Sequence, residues 1–408
     1  MDEPAITIKG RSVQGHYPVT LEDLFSRVRD QTFDITESDA RLAAYQGFLP
    51  GLGCKTIELV FPPAIVRELR PYARYPCVMG DAPAHKVRLN LMYQDTRIKL
   101  AVEDRTSRKD GEVWPERDVL VLLEAYAVIL RTSIPGLGPI WRHCTDNDLD
   151  ALTFGLVNSY DPGRNAELLR TGHQANANSL ATLGEMASLG GDVPPDVFLE
   201  YQVHAGTVWW GESPPHCVER GGFAVNDFGR FAREALVGPC TLVFLFDDNG
   251  ELAWDLMMLS KLLAINHNLL VTGVTSRHIV ENNANTITMQ ECLRSPLLAG
   301  LDGDSRFRIF VEDNVRSAID PSYCSRDLLD LMNKADLLFI KGASFFETVQ
   351  AMEVPSYYAF VVHSHESQLS TGFDKGAGVF VRTPKGTAAF DYGKTCLRDL
   401  YPGWNTPP

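Results

Sequence analysis

Cys240-Thr-Leu-Val-Phe-Leu-Phe246 runs straight into Asp247-Asp248-Asn249-Gly250-Glu251, and this junction decides the fold. Seven consecutive apolar or small residues have the length of a buried strand. Glu251 to Ala264 (ELAWDLMMLSKLLA) follows with helical spacing. Downstream, Leu269 to Val274, Phe307 to Val311, Asp336 to Ile340, Tyr357 to Val362 and Val379 to Val381 read as further strands. Thr288 to Leu298, Ser325 to Lys334 and Phe345 to Met352 read as the helices between them. Strands alternating with helices imply parallel βαβ units. Strands this apolar imply helices on both faces of the sheet. The expected class is α/β, a three-layer Rossmann-like, mostly parallel sheet.

Upstream the pattern is less regular. Thr20 to Val28 and Glu37 to Gln46 have helical spacing, and Thr56 to Phe61 reads as a strand ended by Pro62 and Pro63. Arg117 to Arg131 reads as a buried helix and Glu167 to Leu189 as a helix of small and polar residues. Pro194 to Phe223, with Trp209 and Trp210, reads as irregular. The expected division is a mainly helical, partly irregular region over residues 1–235 and an α/β domain at 236–408.

The chain has 408 residues, 38 Lys plus Arg and 52 Asp plus Glu, and a formal charge of −14, which argues against broad nucleic-acid binding. The eight cysteines form no C-x-x-C pair, so a zinc ribbon is not expected. The start, MDEPAITIKGRS, lacks the basic end and apolar run of a signal peptide. No apolar stretch reaches the roughly 20 residues of a membrane span. The expectation is a cytoplasmic protein with a small-molecule substrate, no nucleic-acid partner and no membrane partner; the oligomeric state stays open.

In open α/β sheets, ligands bind where loops leave the carboxyl ends of the strands. Three segments there carry chemistry. In Asp247-Asp248-Asn249-Gly250-Glu251, two adjacent carboxylates repel each other unless a cation or donors neutralise them. Hard oxygen ligands of this kind suit Mg, Mn or Ca, and also Co or Ni. An acidic turn capping the next helix would use the same residues. Glu281-Asn282-Asn283-Ala284-Asn285-Thr286 offers carboxylate, amide and hydroxyl oxygens, or simply an N-cap for the following helix. In Ala335-Asp336-Leu-Leu-Phe-Ile-Lys341-Gly342, a lysine ends an apolar strand ahead of a helix, an arrangement suited to an anion. His363 and His365 alternate on an expected extended segment and could face one metal, or be two surface histidines. His204 and His216 could cover a pocket or serve as structural histidines.

Together the three segments resemble the metal-dependent damage-control phosphatases, catalogued as domain of unknown function 89. Phe246-Asp247-Asp248-Asn249-Gly250-Glu251 with Asp255 is similar to that family's D-N-x-G-E element. Asp336 to Glu347, with Lys341, Gly342 and Phe346, is similar to its D-L-apolar-x-K-G-x-x-N-aromatic-E element. Asn158-Ser-Tyr-Asp161 is similar to an upstream G-N-x-x-D, with Val157 at the glycine position. Three positions depart: Asp248 replaces the family Asn, Thr286 stands where a family Asp is expected, and Phe345 replaces the Asn after K-G.

The resemblance implies a largely helical N-terminal region packed over the sheet, and a divalent metal (Mn, Mg, Co, Ni or Fe) held by Asp247, Asp248 and Asn285, with Asp248, Glu281 or Asn283 making up for Thr286. It implies catalysis by Asp247 and Lys341. The substrate phosphate would contact Lys341, with Gly342, Asn158, Asp161 and Glu347 completing the substrate site. The implied activity is a phosphatase-like hydrolase acting on a small phosphorylated metabolite. The departures leave a second reading, a Co-, Fe- or Mn-dependent metalloenzyme of redox or group-transfer chemistry in specialised metabolism. A non-catalytic binding protein that has lost its metal is the third.

Overall fold

The computed structural model describes residues 164–188, 193–205, 222–280, 282–313, 319, 321, 324–363, 365–390 and 395–400, together with two short ladders further upstream. Those ladders are antiparallel pairs, Thr7–Ile8 with Arg11–Ser12 and Ser133–Ile134 with Gly138–Pro139. They belong to one compact unit, Met1–Glu167; the second is Leu168–Pro408. The helices and strand expected between Thr20 and Arg131 lie outside the described residues, as do Asn158, Asp161, Trp209, Trp210, His216 and Glu281.

The second unit is built on one seven-stranded sheet. Its strands are β1 (Phe223–Asn226), β2 (Cys240–Leu245), β3 (Leu269–Ser276), β4 (Phe307–Glu312), β5 (Leu337–Lys341), β6 (Ser356–Val361) and β7 (Gly378–Thr383). They lie in the order β1-β7-β6-β5-β2-β3-β4. All neighbours are parallel except β6 and β7. The helices are α1 (Arg164–Ser188), α2 (Pro195–His204), α3 (Phe228–Ala235), α4 (Leu252–Ile265), α5 (Thr286–Leu293), α6 (Ala299–Asp302), α7 (Arg326–Lys334), α8 (Ala343–Thr348), α9 (His365–Thr371) and α10 (Leu397–Leu400). The expected α/β class with a mostly parallel, helix-flanked sheet is therefore observed.

The two faces of the sheet follow from strand periodicity. On one face Leu242, Phe244, Leu269, Val271, Leu337, Phe339, Tyr357 and Phe380 join the apolar residues of α2, α3 and α4. On the other, Phe346 of α8 packs against the rings of Tyr358 and Phe360 at 5.2 and 4.7 Å. Side chains buried on both faces explain why the strands read as continuous apolar runs rather than as alternating ones.

The second unit begins well before residue 236. Phe231 of α3 is fully buried, and its ring meets those of Phe339, Tyr357 and Phe380 at 5.6, 5.1 and 5.8 Å. An aromatic side chain so placed contributes about 3–5 kcal/mol against Ala. Residues 195–204, expected to be irregular, form α2, because Pro195 occupies the first helical turn, where proline lacks no needed N–H. No helix among the described residues is long and apolar enough to cross a membrane.

Candidate functional site

From β2 the chain moves to β3 on one side, and later returns to place β5 on the other side. Loops leaving β2 and β5 therefore part at a topological switch point, where open α/β sheets form their crevice. The loop after β2 carries Asp247 and Asp248; the residue after β5 is Gly342.

These two meet closely. Gly342 has φ +87°, and a Cβ built on it would fall 1.7 Å from Oδ2 of Asp247. Only glycine permits both that backbone angle and that approach. Asp247 and Asp248 are half-buried.

The acidic loop is held from two directions. Beside it runs the loop after β3. Asn249 N–H donates to Asn282 O at 2.7 Å, Ala284 N–H donates to Asp247 O at 2.7 Å, and Asp248 bridges to Asn283. Against it lies one face of α1. Asn176 Nδ2 donates to Asn249 Oδ1 at 3.0 Å, and Asn176 Oδ1 accepts the Gly250 N–H at 2.7 Å. Ser179 Oγ donates to Gly250 O at 2.5 Å. Asn249 Nδ2 spans to the carbonyls of Asn282 and Asn283, both at 2.9 Å. Gly172, one turn before Asn176, leaves room for that amide, since a Cβ there would sit 2.8 Å from it. Residues 172, 176 and 179 share one helix face. That spacing was the available signal for α1, which the motif reading left without a role.

Behind the acidic loop lies a buried ionic cluster. Lys341 and Asp255 are 0% exposed and Glu251 is 3% exposed. Lys341 Nζ donates to Gln202 O of α2 at 2.9 Å and lies 3.0 Å from Glu251 Oε2 and 3.7 Å from Asp255 Oδ1. Gln202 Nε2 donates to Asp255 Oδ1 at 2.7 Å. Burial alone would lower the Lys341 pKa, but the Glu251 and Asp255 carboxylates outweigh it and raise it, keeping the ammonium charged. Burial holds the Asp255 carboxyl well above the ordinary range, although Lys341 pulls it down. Glu251 Oε1 accepts the Asp248 N–H at 3.1 Å.

The remaining expected site residues fall as follows. Asn285 is 1% exposed and caps α5; its amide oxygen accepts the N–H groups of Ile287 and Thr288 at 3.0 and 3.2 Å. Both acceptor directions of that oxygen are thereby taken, and Asn285 serves as the N-cap of α5. Thr286 Oγ1 donates to Ser276 O at 3.1 Å, a backbone tie in place of a carboxylate. Gly342 N–H donates to Ala359 O at 3.1 Å, and Glu347 is 4% exposed on α8. Asp336 lies at the opposite end of β5 from Lys341, where Oδ2 accepts from the N–H and hydroxyl of Thr241. His363 is exposed, and α9 begins at His365, so the extended alternation expected for this pair is replaced by a helix start. His204 is 1% exposed at the end of α2, with Nδ1 2.9 Å from Glu200 O.

Among the described residues, no group of three or more His, Cys, Asp or Glu is disposed to hold a metal ion. The loop after β2 sets the consecutive acidic residues Asp247 and Asp248 at the switch point, with the Asp247 carboxylate against Gly342. That set fits a hard divalent cation of the Mg or Mn kind, which is commonly held by one or two carboxylates, with water and substrate completing its shell. The cradle at Gly342 fits as well, because it fixes the Asp247 carboxylate at the ends of β2 and β5.

A solved structure shares this architecture. A DUF89 family protein from Pyrococcus horikoshii superposes with a TM-score of 0.53 at 14% identity, over 72% of this chain and 96% of that one. The fold is that of DUF89. No protein-family model matches the sequence, and no curated protein matches it. In this fold the motif residues at 247–251 and 341–342 come together at the ends of β2 and β5, while Asp336 stands at the other end of β5.

Proposed function

We propose that this chain is a metal-dependent, phosphatase-like hydrolase acting on a small phosphorylated metabolite. The observation that carries the reading is the seat of the Asp247 carboxylate on Gly342, beside Asp248, at the switch point between β2 and β5. Asp247 and Asp248 would hold the cation. When bound, a divalent ion of this kind polarises a phosphoryl oxygen and offsets the charge that develops on it. The chain's own part is to hold two carboxylates in fixed positions. The zipper to residues 282–284 and the amide clamp from α1 supply that rigidity. Preorganised groups cost no reorganisation when the reaction occurs, and this is where most of the catalytic benefit of such a site arises.

One observation supports the second reading, metal-dependent chemistry of another class. The Lys341 ammonium, which the resemblance assigns to the phosphate, already has three oxygen neighbours inside the protein. The experiment that separates the two readings is a screen of sugar phosphates and phosphorylated cofactor fragments with Mn2+, Co2+ or Mg2+. The first reading predicts phosphate release that chelator abolishes. Stoichiometric metal with no phosphate release from any compound would favour the second.

A further inference from the structure

We propose that Lys341 is a positioning residue for the acidic loop, acting through Glu251 on Asp248, rather than a ligand of the substrate phosphate. The inference rests on the metal reading above but not on the reaction class. Lys341 is fully buried and carries three N–H donors. Gln202 O, Glu251 Oε2 and Asp255 Oδ1 surround them. To meet an anion in the crevice, the ammonium would have to leave at least one of these oxygens, and a buried charge pair that loses one partner is strongly destabilised.

What Lys341 does reach is the acidic loop, by one relay. It holds one oxygen of Glu251, and the other oxygen of Glu251 accepts the Asp248 N–H at 3.1 Å. Its neighbour Gly342 carries the Asp247 carboxylate against its Cα. Two consecutive residues at the end of β5 thus position two consecutive aspartates after β2: Gly342 by leaving space, Lys341 through a carboxylate. Gln202 extends the relay to α2, since its carbonyl accepts from Lys341 and its amide donates to Asp255. Oδ2 of Asp255 and Oε1 of Gln202 are buried with no hydrogen-bond partner. The cluster thus already holds more buried acceptors than its donors satisfy, and moving Lys341 away would add to them.

The test uses the full chain and two probes, Mn2+ alone and inorganic phosphate. Mn2+ affinity is measured by titration calorimetry without phosphate, and phosphate affinity at saturating Mn2+. The variants are Lys341→Met and Glu251→Gln, each first checked for a native circular dichroism spectrum. Groups that orient metal ligands typically change metal affinity by about 10- to 100-fold, and a loss in that range is expected for both variants. Phosphate affinity should stay within about threefold of the parent, less than half a decade in binding terms. The inference is overturned if Lys341→Met keeps its Mn2+ affinity, or loses phosphate affinity by more than about tenfold. Should Lys341→Met fail to fold, unchanged Mn2+ affinity in Glu251→Gln overturns it equally. Absence of Mn2+ uptake by the parent protein overturns the metal reading, and this inference with it.

Discussion

The carboxylate of Asp247 occupies the space where a side chain at residue 342 would begin. A Cβ on Gly342 would stand 1.7 Å from Oδ2 and 2.4 Å from Cγ of Asp247. The two residues are 95 positions apart in sequence, and only the placement of β5 beside β2 brings them together.

Gly342→Ala should therefore be a severe change for its size. The residue at 342 needs φ +87° with ψ 146°, a region essentially confined to glycine. The methyl group must also displace Asp247. Expected are a stability loss of about 1–3 kcal/mol in urea denaturation and loss of metal uptake in the variant that still folds. Unchanged metal uptake would mean that the seat of Asp247 does not govern the site.

Asn176→Ala removes both halves of the α1 clamp. Gly250 N–H and Asn249 Oδ1 would be left buried without their partner from α1. Each such group costs about 1–3 kcal/mol, and the loss should be visible as a lower urea midpoint with an unchanged slope. Asn178→Ala is the comparison on the exposed face of the same helix. Its side chain only accepts from Gln174, four residues earlier, and the expected effect is within about 0.5 kcal/mol. Equal effects at the two positions would contradict the clamp.

His204 gives the pH dependence. Burial lowers its pKa below the ordinary 6.5, while the carbonyl and carboxylate of Glu200 pull it upward and Lys341 adds to the lowering. A depressed folded value means that the unfolded chain takes up the proton first as pH falls. The stabilising contribution is complete above the unfolded value of 6.5 and is lost as pH falls through that value toward the folded one. Denaturation curves at about pH 7.5 and 5.5 should show stability falling on acidification. The fall should be smaller in His204→Gln. An identical fall in both proteins would assign it to other groups.

Much of the fold could be read from the sequence, because β2, β5 and β6 are buried on both faces and so stand out as apolar runs. Their ends moved by only a residue or so, as with β5 ending at Lys341 rather than Ile340. The α2 helix could not be read this way. Pro194 and Pro195 signal a break and a helix start with the same residue type, and the shortness of the helix hides its apolar face. At the site, the acidic pair and Gly342 were legible as local motifs, whereas their supports were not. Lys341 finds Gln202 at a separation of 139 residues, and Asn176 finds Asn249 at 73. No local pattern announces such pairs. At Asn285 an N-cap and a metal ligand draw on the same residue types, and the capping box with Thr288 shows the first of these uses.

The most direct measurement is elemental analysis of protein purified without chelator, repeated on Asp247→Asn. The account predicts close to one divalent ion per chain in the parent and its loss in the variant, with the thermal unfolding curve of the apo forms unchanged. No metal in the parent, even after incubation with Mg2+, Mn2+, Co2+, Ni2+ and Fe2+, or undiminished metal in Asp247→Asn, would contradict it.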